Sequence, residues 1–301
     1  MLKNWISAFR LRTLPLALST VLMGNALAVF KGAFNPTIFW LTILTTLLLQ
    51  ILSNLANDYG DGIKGTDNVD RVGPKRAIQS GAISPKQMKT AVIIFALLSL
   101  LSGIGLLLVA LKMDLMLFIF FLLGIAAIGA AIKYTVGKSA YGYQGLGDLF
   151  VFIFFGLVGV LGAYYLQVKT IDYWMALPAI AIGAFSAAVL NLNNMRDIEN
   201  DGKVGKNTLV VKLGLKHAKK YHYTLFLLAY IAIFTFVMTQ TDGRQQGVLL
   251  IISALVGLIH TFHIKRVILA KAYAQFDPEL KIVALSTLLF SVACFFTFYL
   301  L

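Results

Sequence analysis

Nine apolar runs lie near residues 14–30, 39–57, 90–111, 115–132, 149–166, 172–192, 223–239, 247–264 and 282–301. Each is long enough to cross a hydrocarbon core of about 30 Å as a helix. Lipid offers no partner to a backbone amide, so runs of this length must satisfy their own hydrogen bonds. The chain is therefore expected to be an all-α membrane protein, a bundle of nine transmembrane helices around a central cavity. Of its 301 residues 59% are hydrophobic and 13% charged, and the mean hydropathy is +0.82, which excludes a soluble fold. No low-complexity linker or polar domain interrupts the pattern, so residues 1–301 read as a single membrane domain.

A net charge of +13 would suggest nucleic acid as the partner of a soluble protein. Here the charge sorts by connection: 22 of the 26 lysines and arginines fall on one side, and only Lys31, Lys112, Lys169 and Arg244 on the other. This bias places the N-terminus in the cytoplasm and, with an odd number of helices, the C-terminus outside. The expected surroundings are the lipid bilayer of the cytoplasmic (inner) membrane, with no nucleic acid. The N-terminal MLKNWISAFRLRTLP has no convincing cleavage site after it and reads as part of a retained first helix. One cysteine, Cys294, excludes an intramolecular disulfide and a cysteine-ligated cluster.

Polar residues concentrate in two places. NLANDYGDGIKGTD (54–67) follows the second apolar run, and NNMRDIENDGKVGKNT (193–208) follows the sixth. At a spacing of 140 residues, Asn54 aligns with Asn194, Asn57 with Asp197, Asp61 with Asp201, Gly62 with Gly202 and Gly65 with Gly205. On a helix Asn54, Asn57, Asp58 and Asp61 share an arc of roughly 100°, as do Asn193, Asn194, Asp197 and Asp201. Carboxylates so close together near lipid need a gathered cation or a wet cavity. An oxygen-only donor set suits a hard cation such as Mg²⁺ and argues against zinc, copper or haem. Both motifs end helices on the cytoplasmic side, so a shared site there is geometrically possible, and the offset suggests a parallel repeat.

The long inside loops near 60–88 and 196–221 carry Arg71, Lys75, Arg76, Lys203, Lys206 and Lys212. Most of these read as topology signals, and beside a metal site a few would clamp phosphate. Asp148, at the cytoplasmic start of the fifth apolar helix, is a functional candidate that also suits the helix dipole. Tyr134, Tyr141 and Tyr143 read as interfacial anchors. The small-residue stretches Gly124–Ala131 and Ala179–Ala188 read as close helix packing. His260 and His263 share a helix face but do not read as metal ligands, and Asp114, Asp172 and Asp242 read as helix caps.

Two carboxylate clusters, basic lids and a cavity open to lipid call for a substrate with a diphosphate at one end and a hydrocarbon at the other. A polyprenyl diphosphate fits. Metal would stabilise the diphosphate as leaving group, and an electron-rich ring would attack the allylic cation in a site shielded from water.

The two acidic motifs, the DRVGPKRAIQSGAIS that follows the first, RLRTLPLALSTVLMGNALA and YQGLGDLFVFIFFG together resemble the UbiA superfamily of membrane prenyltransferases. Within it the likeness is to the 1,4-dihydroxy-2-naphthoate polyprenyltransferase branch, and it covers nearly the whole chain. The general family writes its first motif NDxxDxxxD, whereas this chain has Gly65 in the last acidic position and Asp67 two residues on. The resemblance implies Mg²⁺ and diphosphate between the motifs, and alkylation of the naphthoate with loss of CO₂, giving demethylmenaquinone. Asn57, Asp61, Asp197 and Asp201 are then the principal metal-organising residues, with Asn54, Asp58 and Asn194 in support. Asp61 and Asp201 are the central catalytic candidates. Arg12, Lys75, Arg76, Lys133 and Lys206 would contact phosphate or carboxylate, and Asp148 and Tyr134 would border the acceptor.

Two other readings remain open. The acceptor could be 4-hydroxybenzoate, homogentisate or another ring, because pocket shape decides that choice. A secondary transporter also has repeats and intramembrane carboxylates, although its coupling residues belong near mid-membrane rather than at the helix ends.

Overall fold

In the computed structural model, which describes residues 2–69 and 71–301, every regular element is helical. Nine helical segments among the described residues are long and apolar enough to cross a membrane. In chain order the elements are α1 (Leu2–Ala8), α2 (Leu14–Phe30), α3 (Pro36–Lys64), α4 (Pro85–Ala110), α5 (Leu115–Lys133) and α6 (Gly147–Val151). A π-helical segment (Phe152–Leu161) leads into α7 (Gly162–Val168), followed by α8 (Ala176–Arg196), α9 (Ile198–Lys203), α10 (Leu209–Gln240), α11 (Gly243–Leu269) and α12 (Asp277–Leu300). The expected spans are all present, and the second is longer than its apolar run because the first acidic motif continues α3 to Lys64.

Helix α8 is the buried spine. Its Ala179–Ala188 stretch is almost wholly enclosed, and Phe185 packs at a tilt of 57° against Phe226 of α10 with centroids 5.4 Å apart. Glycines bring α8 against the π-helical segment: a Cβ on Gly156 would stand 2.7 Å from the Ala179 carbonyl oxygen, and one on Gly183 2.9 Å from that of Phe152. This is the backbone approach that small residues permit in lipid. The second small-residue stretch behaves otherwise. No residue of α5 is buried, and a Cβ on Gly124 or Gly129 would meet nothing within 4 Å. The expectation that the whole of Gly124–Ala131 packs closely is corrected: α5 is a peripheral helix resting mainly on α3 and α4, its glycines face space, and Ala131 at the end of the stretch packs against the α3–α4 core.

Most buried polar groups on α10–α12 pair with one another, as lipid favours, while His222 Nδ1 and Ser253 Oγ have no hydrogen-bond partner. His222 Nε2 lies 2.8 Å from His263 Nε2, His263 Nδ1 lies 2.5 Å from Glu279, and His260 sits between Tyr230 (2.8 Å) and Ser286 (2.7 Å). Asp114 and Asp172 cap helices as expected, through the amides of Met116 and Trp174 at 3.0 Å each. Asp242 holds an N-cap position but accepts no capping bond, so that expectation is corrected.

Candidate active site

The two acidic motifs end in the same backbone device. Gly65 and Gly205 are both left-handed, at φ 73° and 74°, and the next amide turns back to an aspartate carbonyl: Thr66 N to Asp61 O at 3.0 Å, Lys206 N to Asp201 O at 2.8 Å. A left-handed C-cap favours glycine, which is why Gly65 stands where the general motif has an acid. The copies differ upstream. In the first the helix is continuous, and in the second it breaks at Asp197 (φ −99°, ψ 10°), which separates α8 from α9.

Three contacts draw the motifs together. Lys206 Nζ donates to Asp61 Oδ2 at 3.1 Å, Arg71 Nη2 to Asp197 Oδ2 at 3.2 Å, and Asn200 Nδ2 to the Thr66 carbonyl at 2.9 Å. Asp61 also accepts the Tyr143 hydroxyl on Oδ1 at 2.7 Å. That phenol has one proton, so the Thr66 hydroxyl 2.5 Å away donates to it in turn. Although burial opposes charge, Asp61 and Asp201 hold the Lys206 ammonium above its usual pKa. Asp197 is stabilised against its own burial by Arg196 (Nε 2.9 Å, Nη2 2.7 Å) and then by Arg71, and lies below the usual carboxylate range. Asp201 lacks such a partner: burial outweighs Lys206, Asp197 and Asp61 add repulsion, and its carboxyl is pushed up to about 7.

The helical face expected of the first motif divides. Asn54 turns to the N-terminal corner, donating to Phe9 O and Thr13 Oγ1 at 2.9 Å each. Asp58 accepts the amides of Ala77 (3.1 Å) and Ile78 (3.4 Å), pinning the 71–84 segment to α3. Asp67 pairs with Arg71 at 3.1 Å. Asn57 stays partly exposed one turn before Asp61, and Asn194 is buried on α8.

Beside the carboxylates lies a concentration of guanidinium groups. Arg10, Arg71 and Arg76 lie near one another, and Arg76 sits well below its usual pKa because of burial and then its neighbours Arg10 and Arg71. Arg10 Nε and Nη2 and Arg76 Nε are buried without hydrogen-bond partners. Arg10 is also left-handed (φ 50°, ψ 60°), a conformation that costs a non-glycine residue on the order of 1 kcal/mol and is concentrated at functional sites. Arg76 Nε has only a long ion pair, 3.9 Å to Asp67 Oδ1, and buried donors without a hydrogen bond on crowded cations suit an anion.

Three other basic candidates are exposed. Arg12 is exposed and pairs with Asp277 at 3.6 Å, Lys75 is exposed, and Lys133 lies at the exposed end of α5, its Nζ 3.6 Å from where a Cβ on Gly137 would stand. Arg196 pairs with the same Asp277, so Arg12 reaches the edge of the second motif, while the arginine of RLRTLP with buried donors lacking hydrogen bonds is Arg10. Tyr143 corrects its reading as an anchor. Only the fold of the 134–146 connection, with Gly145 left-handed at φ 78°, carries it to Asp61.

Asp148 is buried, and neither of its oxygens completes a hydrogen bond of normal geometry, although the Tyr221 phenol is close enough to interact. Tyr134 stands between it and the motifs: its Cε2 would be 3.0 Å from a Cβ on Gly147, and burial pushes its hydroxyl up to about 12.

The donor set fits a hard divalent cation. It is all oxygen, and buried Asp67 Oδ2 and Asn200 Oδ1 have no hydrogen-bond partner. Among the described residues no three His, Cys, Asp or Glu side chains form a ready cage. The charges of Asp61 and Asp197 are balanced by Lys206, Arg71 and Arg196 instead.

The fold has solved counterparts. A UbiA homolog from Archaeoglobus fulgidus bound to DMAPP and Mg²⁺ superposes with a TM-score of 0.63 at 19% identity, over 97% of this chain and 99% of that one. Closer in sequence, the 1,4-dihydroxy-2-naphthoate octaprenyltransferase of Haemophilus influenzae is 50% identical over 79% of this chain and 78% of its own. Its namesake in Escherichia coli is 47% identical over 77% of this chain and 75% of its own. Residues 17–285 match the UbiA prenyltransferase family, and the chain belongs to that family.

Proposed function

We propose that this protein transfers a polyprenyl group from its diphosphate to 1,4-dihydroxy-2-naphthoate with loss of CO₂ and diphosphate, giving demethylmenaquinone. The observation that carries the reading is the crowd of under-bonded guanidinium groups, Arg10 and Arg76 with Arg71 beside them, against two acidic motifs at one end of the bundle. Such a pairing of anion cradle and cation ligands suits a metal diphosphate. The acceptor follows from the relatives at 50% and 47% identity, which bear that ring in their names.

Arg10, Arg71 and Arg76 take the diphosphate oxygens and hold the leaving group in line. Asp61, Asp197 and Asp201, with Asn57 and Asn194, would hold Mg²⁺, which when bound neutralises the leaving diphosphate. Asn54 and Asp58 serve them by fixing the N-terminal corner and the loop. Lys206 donates to Asp61 and fixes its carboxylate between the two motifs. Asp148, with no normal hydrogen bond of its own, accepts one from an acceptor hydroxyl and makes the ring more electron-rich, and Tyr134 borders the ring. The charge bias sets this site toward the cytoplasm, in the bacterial inner membrane.

The test is an assay of purified protein in lipid with a polyprenyl diphosphate and Mg²⁺, offering 1,4-dihydroxy-2-naphthoate and 4-hydroxybenzoate in parallel. Metal-dependent product with CO₂ released from the naphthoate alone is the expected result. Product from 4-hydroxybenzoate alone overturns the acceptor, and no turnover of either overturns the reading.

A further inference from the structure

At the 140-residue spacing Arg196 stands where the first copy has Ala56, and Glu199 where it has Tyr59, so the second motif carries two charges without counterparts in the first. Arg196 is wholly buried, and a guanidinium taken out of water needs both counter-charge and hydrogen bonds. Its Nε and Nη2 go to Asp197 at 2.9 and 2.7 Å, and Nη2 also meets Asn193 Oδ1 at 2.8 Å. The remaining nitrogen, Nη1, donates to Asp277 Oδ1. Asp277 lies in the first turn of α12, where the helix dipole favours its charge. The same turn reaches the motif a second time, because the Tyr273 phenol lies within hydrogen-bonding reach of Glu199. Arg196 ends α8 and Glu199 lies in the first turn of α9, so the two contacts fall on opposite sides of the break at Asp197. A continuous helix fixes the relation between its turns through its own backbone, as α3 does for Asn57 and Asp61, whereas a broken one must have it fixed from outside. The turn over 273–277 is firm enough to do so. Phe276 is buried in the core, and Lys219 Nζ ties the preceding chain by donating to the carbonyls of Ile268 (3.2 Å) and Ala270 (3.0 Å).

Resting on the reading of the acidic motifs as the site of a metal diphosphate, we propose that Asp277 is a positioning residue for the second motif, supported by Tyr273. By sharing the charge of Arg196 it leaves Asp197 able to turn an oxygen to the cation, and together the two contacts hold Asp197 and Asp201 at one angle across the break. Without the Asp277 carboxylate, Asp197 is the only acid left to a buried guanidinium and is withheld from the metal. The second partner of Asp277, Arg12 at 3.6 Å, lies on the exposed side and takes no part in this.

The experiment measures Mn²⁺ binding to the purified protein in lipid, with inorganic diphosphate present, from the loss of the free-ion electron paramagnetic resonance signal. The affinity is expected to fall about tenfold or more in Asp277→Asn and about threefold in Tyr273→Phe, and to return to within about twofold of the wild type in Asp277→Glu. Unchanged affinity in Asp277→Asn overturns the proposal. An equal loss in Asp277→Glu does so too, since it marks a residue that only packs. Arg12→Ala separates the two partners of Asp277, and a loss as large as that of Asp277→Asn would move the effect to Arg12 and overturn the role of Arg196. If Asp277→Asn does not fold, Tyr273→Phe, which loses only a hydroxyl, decides, and unchanged affinity there overturns the hold on the motif. Wild-type protein that takes up no Mn²⁺ with diphosphate overturns the metal-diphosphate reading itself, and the positioning role with it.

Discussion

Arg10 and Arg12 lie two residues apart and have opposite fates. Arg12 forms a half-exposed pair with Asp277, worth about 0–1 kcal/mol, whereas Arg10 is held in a left-handed backbone with buried, unpaired donors. Arg10→Ala is therefore expected to raise KM for the diphosphate donor about tenfold or more, the size of one charge-assisted hydrogen bond, and Arg12→Ala to change it less than threefold. Steady-state kinetics with the acceptor saturating check this, and equal effects would refute the assignment. Asp201 makes a second prediction. With its carboxyl near 7, the folded protein keeps a proton there that the unfolded chain has already released above the ordinary carboxylate range. Metal-free stability should fall as pH rises toward 7 and through it, and a divalent cation, which competes with that proton, should reverse the trend. The acid limb of the rate profile should move to lower pH as Mg²⁺ is raised. A limb that ignores Mg²⁺ would remove Asp201 from the metal site.

Among the helices, how closely backbones approach depends on individual glycines. A Cβ on Gly60 would stand 2.7 Å from the Thr135 carbonyl carbon, where the Thr135 hydroxyl donates to Ala56 O at 3.0 Å and ties the end of α5 to the motif helix. Gly60→Ala should destabilise the protein by about 1–3 kcal/mol, whereas Gly105→Ala, with nothing within 4 Å, should be neutral or slightly stabilising. Thermal unfolding in one detergent decides, and a Gly60→Ala protein as stable as the wild type would refute the contact. The helices and their order were legible in the sequence because an apolar run of spanning length has one solution in lipid. The packing of Gly124–Ala131 was not, because a small residue permits close approach without supplying the partner that makes use of it.

Across the whole molecule, the prediction concerns sidedness. Cys294 is buried, so a cysteine placed elsewhere can be read against a low background. In intact cells Lys75→Cys, on the exposed loop that follows the first acidic motif, should resist a membrane-impermeant maleimide until the cells are opened, and Arg244→Cys, between α10 and α11, should react at once. The reverse pattern would invert the topology and place the site on the other face. The expectation rests on charge alone, since nine apolar helices fit a bilayer either way up.

Periodicity, charge and the repeat at 140 residues were enough for the helical membrane class, the number of spans and the two acidic motifs, because each is a one-dimensional pattern that lipid or helix geometry translates directly. Which members of those motifs meet is a matter of three dimensions. The shared helical arc grouped Asn54 and Asp58 with Asp61, and the fold turned one to Phe9 and the other to Ala77. Arg10, Tyr143 and Asp277 carry no local signal. A left-handed residue, an 82-residue separation between Tyr143 and Asp61, and one of 81 residues between Asp277 and Arg196 become visible only when distant segments compete for the same buried volume.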